Sequence, residues 1–221
     1  MTRRHTLKNG RVELALHRRK DGEGVPLLLL HALWESSAAW GAEPDAWPGP
    51  VFALDFSGHG ASGWVRGGSY HIERFLSDAD LALRHMERAA LLGSGLGAWY
   101  AVILAGTRAE RVPGCLLAPG PGLPGGFAVE DPLDTTPICP TPEEVAAFAR
   151  SGRACDPYCL SMERDPRPPW FVRPFAEAAR RVLLLEDGAP RPPWWEAVRA
   201  AGAEAAGRDL ASGIAALVRA I

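Results

Sequence analysis

The chain has 221 residues, 47% of them hydrophobic, enough for one domain with a sizeable core. A formal net charge of −2 supplies no general attraction to nucleic acid or to an anionic membrane. The charged start "MTRRHTLKNG" leads into no apolar stretch of signal-peptide type, and "VPLLLL" is far too short to span a bilayer, so a cytoplasmic protein is expected.

In chain order, "RVELALHRR" (11–19) alternates apolar and polar residues as a half-exposed strand does. "VPLLLL" (25–30) and "VFALDF" (51–56) are short apolar runs ended by turn residues, the pattern of strands buried on both faces. Residues 72–86 place Ile72, Phe75, Leu76, Ala79, Leu83 and Met86 at helical spacing. "AALLG" (89–93) predicts a further strand, with a helix opening straight off it at Leu96, and "CLLAPG" predicts the next strand. This alternation argues for a parallel sheet covered by helices.

The pattern changes between about 120 and 175, where "APGPGLPGG" and "RDPRPPW" favour loops. Between them Thr141, Pro142 and Glu144 stand as N-cap, N1 and N3 of a capping box. Residues 121–175 are expected to form an irregular lid or cap insertion in a core made of 1–120 and 176–221. "RRVLLLED" (180–187) returns to a buried strand, and two amphipathic helices (192–202 and 208–221) flank a short last strand in "AEAAG".

Four cysteines, Cys115, Cys139, Cys155 and Cys159, show no metal-ligand spacing: "CDPYC" has three residues between its cysteines and no second pair follows. They read as free thiols, and neither a metal nor a cofactor is implied.

The chemistry-bearing stretch is "AALLGSGLGAW". It has the glycines of the nucleophile elbow G-x-S-x-G at Gly93 and Gly97, with Gly95 where serine belongs and Ser94 one place early. Together with "LLLLHALWESSAAW" and "FALDFSGHGASG", the latter similar to a D-x-x-G-x-G-x-S segment, it resembles the α/β-hydrolase superfamily over most of the chain. The resemblance implies an α/β-hydrolase fold: a mostly parallel central sheet, helices on both faces and a short lid.

It also implies where a Ser-His-acid triad would stand. The nucleophile slot is Gly95. The six histidines, His5, His17, His31, His59, His71 and His85, all precede the elbow, and Arg208 stands where the family has its histidine. The acid slot falls among Ala189, Pro190 and Arg191, with Glu186 and Asp187 as displaced candidates. The oxyanion amides correspond to Leu33 and Leu96, and Ala32 replaces the usual glycine of the oxyanion loop. His31, Trp34, Gly95, Trp170 and Arg208 are candidates to line a pocket, an inward-facing Arg208 favouring an anionic group there.

The reading these residues favour is a hydrolase-fold protein without an intact triad that binds a small molecule or a protein partner. The alternative is an atypical serine-type carboxylic-ester hydrolase recruiting Ser94, Ser36 or Ser37. For Ser94 the simpler role is a local bond beneath the turn.

Overall fold

The four leucines of β3 (Leu27–Leu30) are all buried, and they divide between two cores. Leu28 and Leu30 join one apolar cluster, while Leu27 and Leu29 join the other. A strand alternates its side chains between faces, so an unbroken apolar run requires cover on both sides. β4 (Val51–Leu54), β5 (Ala90–Ser94), β6 (Cys115–Ala118) and β7 (Val182–Leu184) follow the same logic.

The computed structural model describes residues 3–65, 70–126 and 140–221. Its sheet has eight strands in the order β1-β2-β4-β3-β5-β6-β7-β8, with β1 at Arg3–Asn9, β2 at Val12–Lys20 and β8 at Glu204–Ala205. β1, β2 and β4 pair antiparallel, and the strands from β4 to β8 run parallel. Helices α1 (Ile72–Met86), α2 (Leu96–Thr107), α5 (Pro169–Ala178) and α6 (Pro193–Ala200) supply one cluster, and α7 (Leu210–Ala220) supplies the other. This is the α/β architecture expected from the sequence. No helix among the described residues is long and apolar enough to cross a membrane.

Residues 140–164 carry α3 (Pro142–Ala149) and the single turn α4 (Ser161–Arg164). Thr141 caps α3 through the reciprocal pair, its Oγ1 accepting from Glu144 N at 3.3 Å and its own N–H donating to Glu144 Oε2 at 2.8 Å. α5 straddles residue 175 and buries Val172 and Ala176 in the core. Part of the lid segment, residues 127–139 with Cys139, lies outside the described residues.

β1 is the element the sequence pattern does not announce. Its burial alternates only between exposed and half-buried, and the inward set His5, Leu7 and Asn9 contains a single apolar residue, so the sequence shows no apolar alternation. It is held by its pairing with β2 and by Asn9, whose Nδ2 donates to Asp78 Oδ1 at 2.7 Å. Burial pushes the Asp78 carboxyl up, against the bonds from Asn9 and from Ser57 N–H that favour its charged form. Asn9→Ala removes a bond to a buried carboxylate and is expected to cost about 2 kcal/mol in urea unfolding. Amide hydrogens of β1 should exchange faster in the variant, and unchanged stability with unchanged exchange would show that β1 is held by pairing alone.

Candidate functional site

β5 ends at Ser94, α2 begins at Leu96, and Gly95 makes the turn between them at φ 55°, ψ −117°. Only glycine adopts such a backbone without strain. The flanking glycine is fixed by packing: a Cβ on Gly97 would lie 2.1 Å from the carbonyl oxygen of Leu30, so the start of α2 rides directly on the end of β3. The elbow geometry is therefore present, with no side chain at its apex.

Above the apex lies the chain's own backbone. Leu96 N–H donates to the carbonyl oxygen of Pro121 at 3.0 Å, and Leu33 N–H donates to the same oxygen at 3.2 Å. These are the two amides that correspond to an oxyanion hole, and they converge on one acceptor, as such a pair must. The acceptor is a peptide oxygen of the "PGPG" turn after β6. A Cβ placed on Gly95 would meet that oxygen at 2.1 Å and the Cβ of Ala32 at 2.8 Å. The segment 118–123 is tied down further by Gly95 N–H to Ala118 O at 3.0 Å and Leu123 N–H to Gly120 O at 3.2 Å. No sequence reading pointed to Pro121. The only local signal is the Pro-Gly alternation, which marks a tight turn but not where it docks.

The other site residues fall into separate places. Ser94 Oγ donates to Pro119 O at 3.0 Å. His31 is buried, with Nδ1 2.7 Å from Ala32 O and Nε2 accepting from Phe56 N–H at 3.1 Å. That pair of bonds requires the neutral Nδ1–H tautomer and leaves no free ring nitrogen. Burial, with the neighbouring His59, pulls the His31 imidazole down to about 3. Glu186 pairs with Arg199 at 2.7 Å, and Asp187 pairs with Arg191 at 2.6 Å while accepting from Ala189 N–H at 2.9 Å. The Ala189 amide and Arg191 hold the Asp187 carboxyl below its usual range.

Trp34 turns toward the 140–164 segment, its ring 4.6 Å from that of Phe148 and its Nε1 3.3 Å from Glu163 Oε1. Trp170 is 74% exposed and lines a groove of about 650 Å³ with Pro166, Pro168, Pro192 and Pro193. Arg208 is exposed and makes no hydrogen bond or ion pair among the described residues, since Asp209 caps α7 by accepting from Ser212 N–H at 2.7 Å. It borders a cavity of about 430 Å³ with Glu35, Trp40, Glu43, Ser94, Leu185 and Asp209. Burial pushes the Glu35 carboxyl up. This cavity lies at the carboxyl ends of β5, β6 and β7, where open α/β sheets present their ligands.

Residues 27–220 match the model of the alpha/beta hydrolase family, and the chain belongs to that family. Among solved structures, a thioesterase domain from the curacin biosynthetic pathway is similar at TM-score 0.71 and 17% identity, over 99% of this chain and 98% of that one. N-formylmaleamic acid deformylase from Pseudomonas putida S16 is similar at 0.69 and 16%, over 97% and 99%. An alpha/beta hydrolase from Sphaerobacter thermophilus DSM 20745 is similar at 0.66 and 15%, over 97% and 99%. At these identities the likeness is one of fold. No curated protein matches the chain.

Gly95→Ser places a Cβ where Pro121 O now sits, on a backbone that L residues rarely adopt. A loss of about 2–4 kcal/mol is expected in urea unfolding, from strain and overpacking together. Hydrolysis of an activated aryl ester should stay at the wild-type level, because neither Arg208 nor His31 offers a base to the new hydroxyl. Hydrolysis at ordinary enzyme rates would reveal a competent base already in place.

Proposed function

We propose that this chain is a non-hydrolysing member of the alpha/beta hydrolase family that binds a small carboxylate in the cavity bordered by Arg208. One observation carries the first half: the amides of Leu33 and Leu96 are both satisfied by Pro121 O, so a substrate carbonyl would have to displace a bonded peptide oxygen to reach them. The absence of a hydroxyl at Gly95 and the full engagement of His31 support the same reading. Losing a triad serine or histidine can cost about a millionfold in rate, roughly 8 kcal/mol of barrier.

The ligand class follows from charge. Arg208 is a permanent cation with no ion pair among the described residues, in a cavity walled by Trp40, Leu185 and Leu210. Glu35, Glu43 and Asp209 also line it, so the anion must bind at the Arg208 end, away from Glu35 and Glu43. A carboxylate on a small apolar body complements that arrangement, with charge-assisted bonding to the guanidinium fixing its orientation. The rival esterase reading needs Ser94 as nucleophile. Its hydroxyl donates to Pro119 O, and every histidine is on the N-terminal side of the elbow. The exposed Trp170 face is the feature that would serve a protein partner instead.

Calorimetry of small aryl and alkyl carboxylates against their uncharged amides tests the proposal. Carboxylates should bind and amides should bind at least about tenfold more weakly, with the difference lost in Arg208→Gln. A fluorophosphonate probe should leave the protein unlabelled. Equal binding of both sets would overturn the ligand class, and labelling at Ser94 would overturn the non-hydrolysing reading.

A further inference from the structure

Away from the elbow, His59, Cys155 and Cys159 place one ring nitrogen and two sulfurs within 4.8 Å of one another, and all three residues are buried. His59 belongs to the loop after β4. The cysteines belong to the segment between α3 and α4, Cys159 lying 100 positions further along the chain than His59. The meeting is fixed by backbone. Cys155 faces His59 in a short antiparallel bridge, with Asp156 N–H donating to Gly58 O at 2.7 Å and Gly60 N–H donating to Ala154 O at 3.1 Å. Cys159 N–H then donates to Asp156 O at 2.9 Å, and this turn brings the second sulfur beside the first. On the core side, the Asp55 carboxylate accepts from Ser37 N–H at 2.6 Å and from Ala61 N–H at 2.9 Å, which holds the loop that presents His59.

We propose that His59, Cys155 and Cys159 bind a zinc ion that fastens the 140–164 segment to the core. Around zinc, two thiolates and an imidazole at about 2.0–2.3 Å from the metal stand roughly 3.5–4 Å apart, a spacing this cluster reaches with small side-chain adjustments. His59 is fully buried; its Nδ1 lies 3.1 Å from Ser57 O and 4.0 Å from Cys159 Sγ, and its Nε2 has no hydrogen-bond partner. The nitrogen turned toward Cys159 Sγ is Nδ1, so a metal would take that atom in place of its contact with Ser57 O and leave Nε2 to carry the ring proton.

Charge favours a dication. Zinc binding displaces the thiol protons of Cys155 and Cys159, and the dication then offsets the two buried thiolates it creates. The intervening carboxylate is already committed: Asp156 Oδ1 accepts from Tyr158 N–H at 3.1 Å and Oδ2 from Tyr70 OH at 2.7 Å. The protein thus offers three ligands, and the fourth position falls to water or a small exogenous donor. The cysteine spacing alone could not announce this site, because the third ligand comes from a distant loop.

The test uses the full chain, reduced and freed of metal. Cobalt(II) titration should give intense thiolate-to-cobalt absorption saturating at one equivalent, bleached by one equivalent of zinc(II). Zinc should raise the melting temperature. Cys155→Ser and Cys159→Ser should each weaken zinc binding at least about a hundredfold, whereas Cys115→Ala, remote on β6, should leave it unchanged. The wild-type titration stands even if a variant fails to fold. A folded, reduced wild-type protein with no thiolate-to-cobalt band would overturn the proposal. So would a band that survives in the Cys155→Ser/Cys159→Ser double variant, or peptide mapping that finds the two cysteines disulfide-bonded in a protein that takes up no zinc after reduction.

Discussion

The carbonyl oxygen of Pro121 is the acceptor on which the arrangement of the site depends. A sharp strand-to-helix turn leaves amides pointing into the space above it, and a buried amide without a partner is costly. Here that space is closed by peptide from the same chain, and the amides of Leu33 and Leu96 share one oxygen. The closure requires small residues on every side. Gly95 leaves room for Pro121 O, and a Cβ on Gly120 would press on Ser94 Oγ at 2.5 Å. A Cβ on Gly122 would press on the Cβ of Leu33 at 2.6 Å. A side chain at position 95 and this turn cannot share the space, so glycine at the apex and the occupied amides are two aspects of one structural state.

How much of this was legible in sequence depended on the range of the interaction. Strands buried on both faces announce themselves as unbroken apolar runs, and β3 to β6 are legible within a residue or two, β7 within three. α2 was equally clear, because a helix covered on all sides must be apolar throughout, as Leu96 to Ala105 are. β1 was silent because its half-buried face, His5, Leu7 and Asn9, carries only one apolar residue. The proline-rich approach to α5 read as loop, yet proline at the first helical positions removes only amides that lack partners anyway, so Pro168 and Pro169 begin that helix rather than prevent it.

At the site, the local signals were sufficient to place the elbow and insufficient to say what covers it. Gly93, Gly95 and Gly97 specify a turn, but the docking of Pro121 is a contact across the sheet that no spacing encodes. The same holds for the salt links of Glu186 and Asp187. Both acids follow β7, as displaced triad acids would, but Arg199 and Arg191 take them up. The five residues grouped from sequence as one pocket do not share one. His31 is sealed beneath the sheet ends, Trp34 leans on Phe148, and Trp170 and Arg208 border different cavities.

Arg208 gives the arrangement its direction. An imidazole in that place would be close to half charged near neutrality and could take and return a proton, whereas a guanidinium stays charged and only attracts. Catalytic groups that act as a unit contribute almost nothing singly, so a hydroxyl restored at position 95 would still lack a base, and a base restored at 208 would still lack a nucleophile. Each would also meet a turn that already fills the oxyanion position. With the Pro121 carbonyl on the Leu33 and Leu96 amides, a carbonyl from outside reaches them only by displacing that oxygen, whatever residue stands at positions 95 and 208.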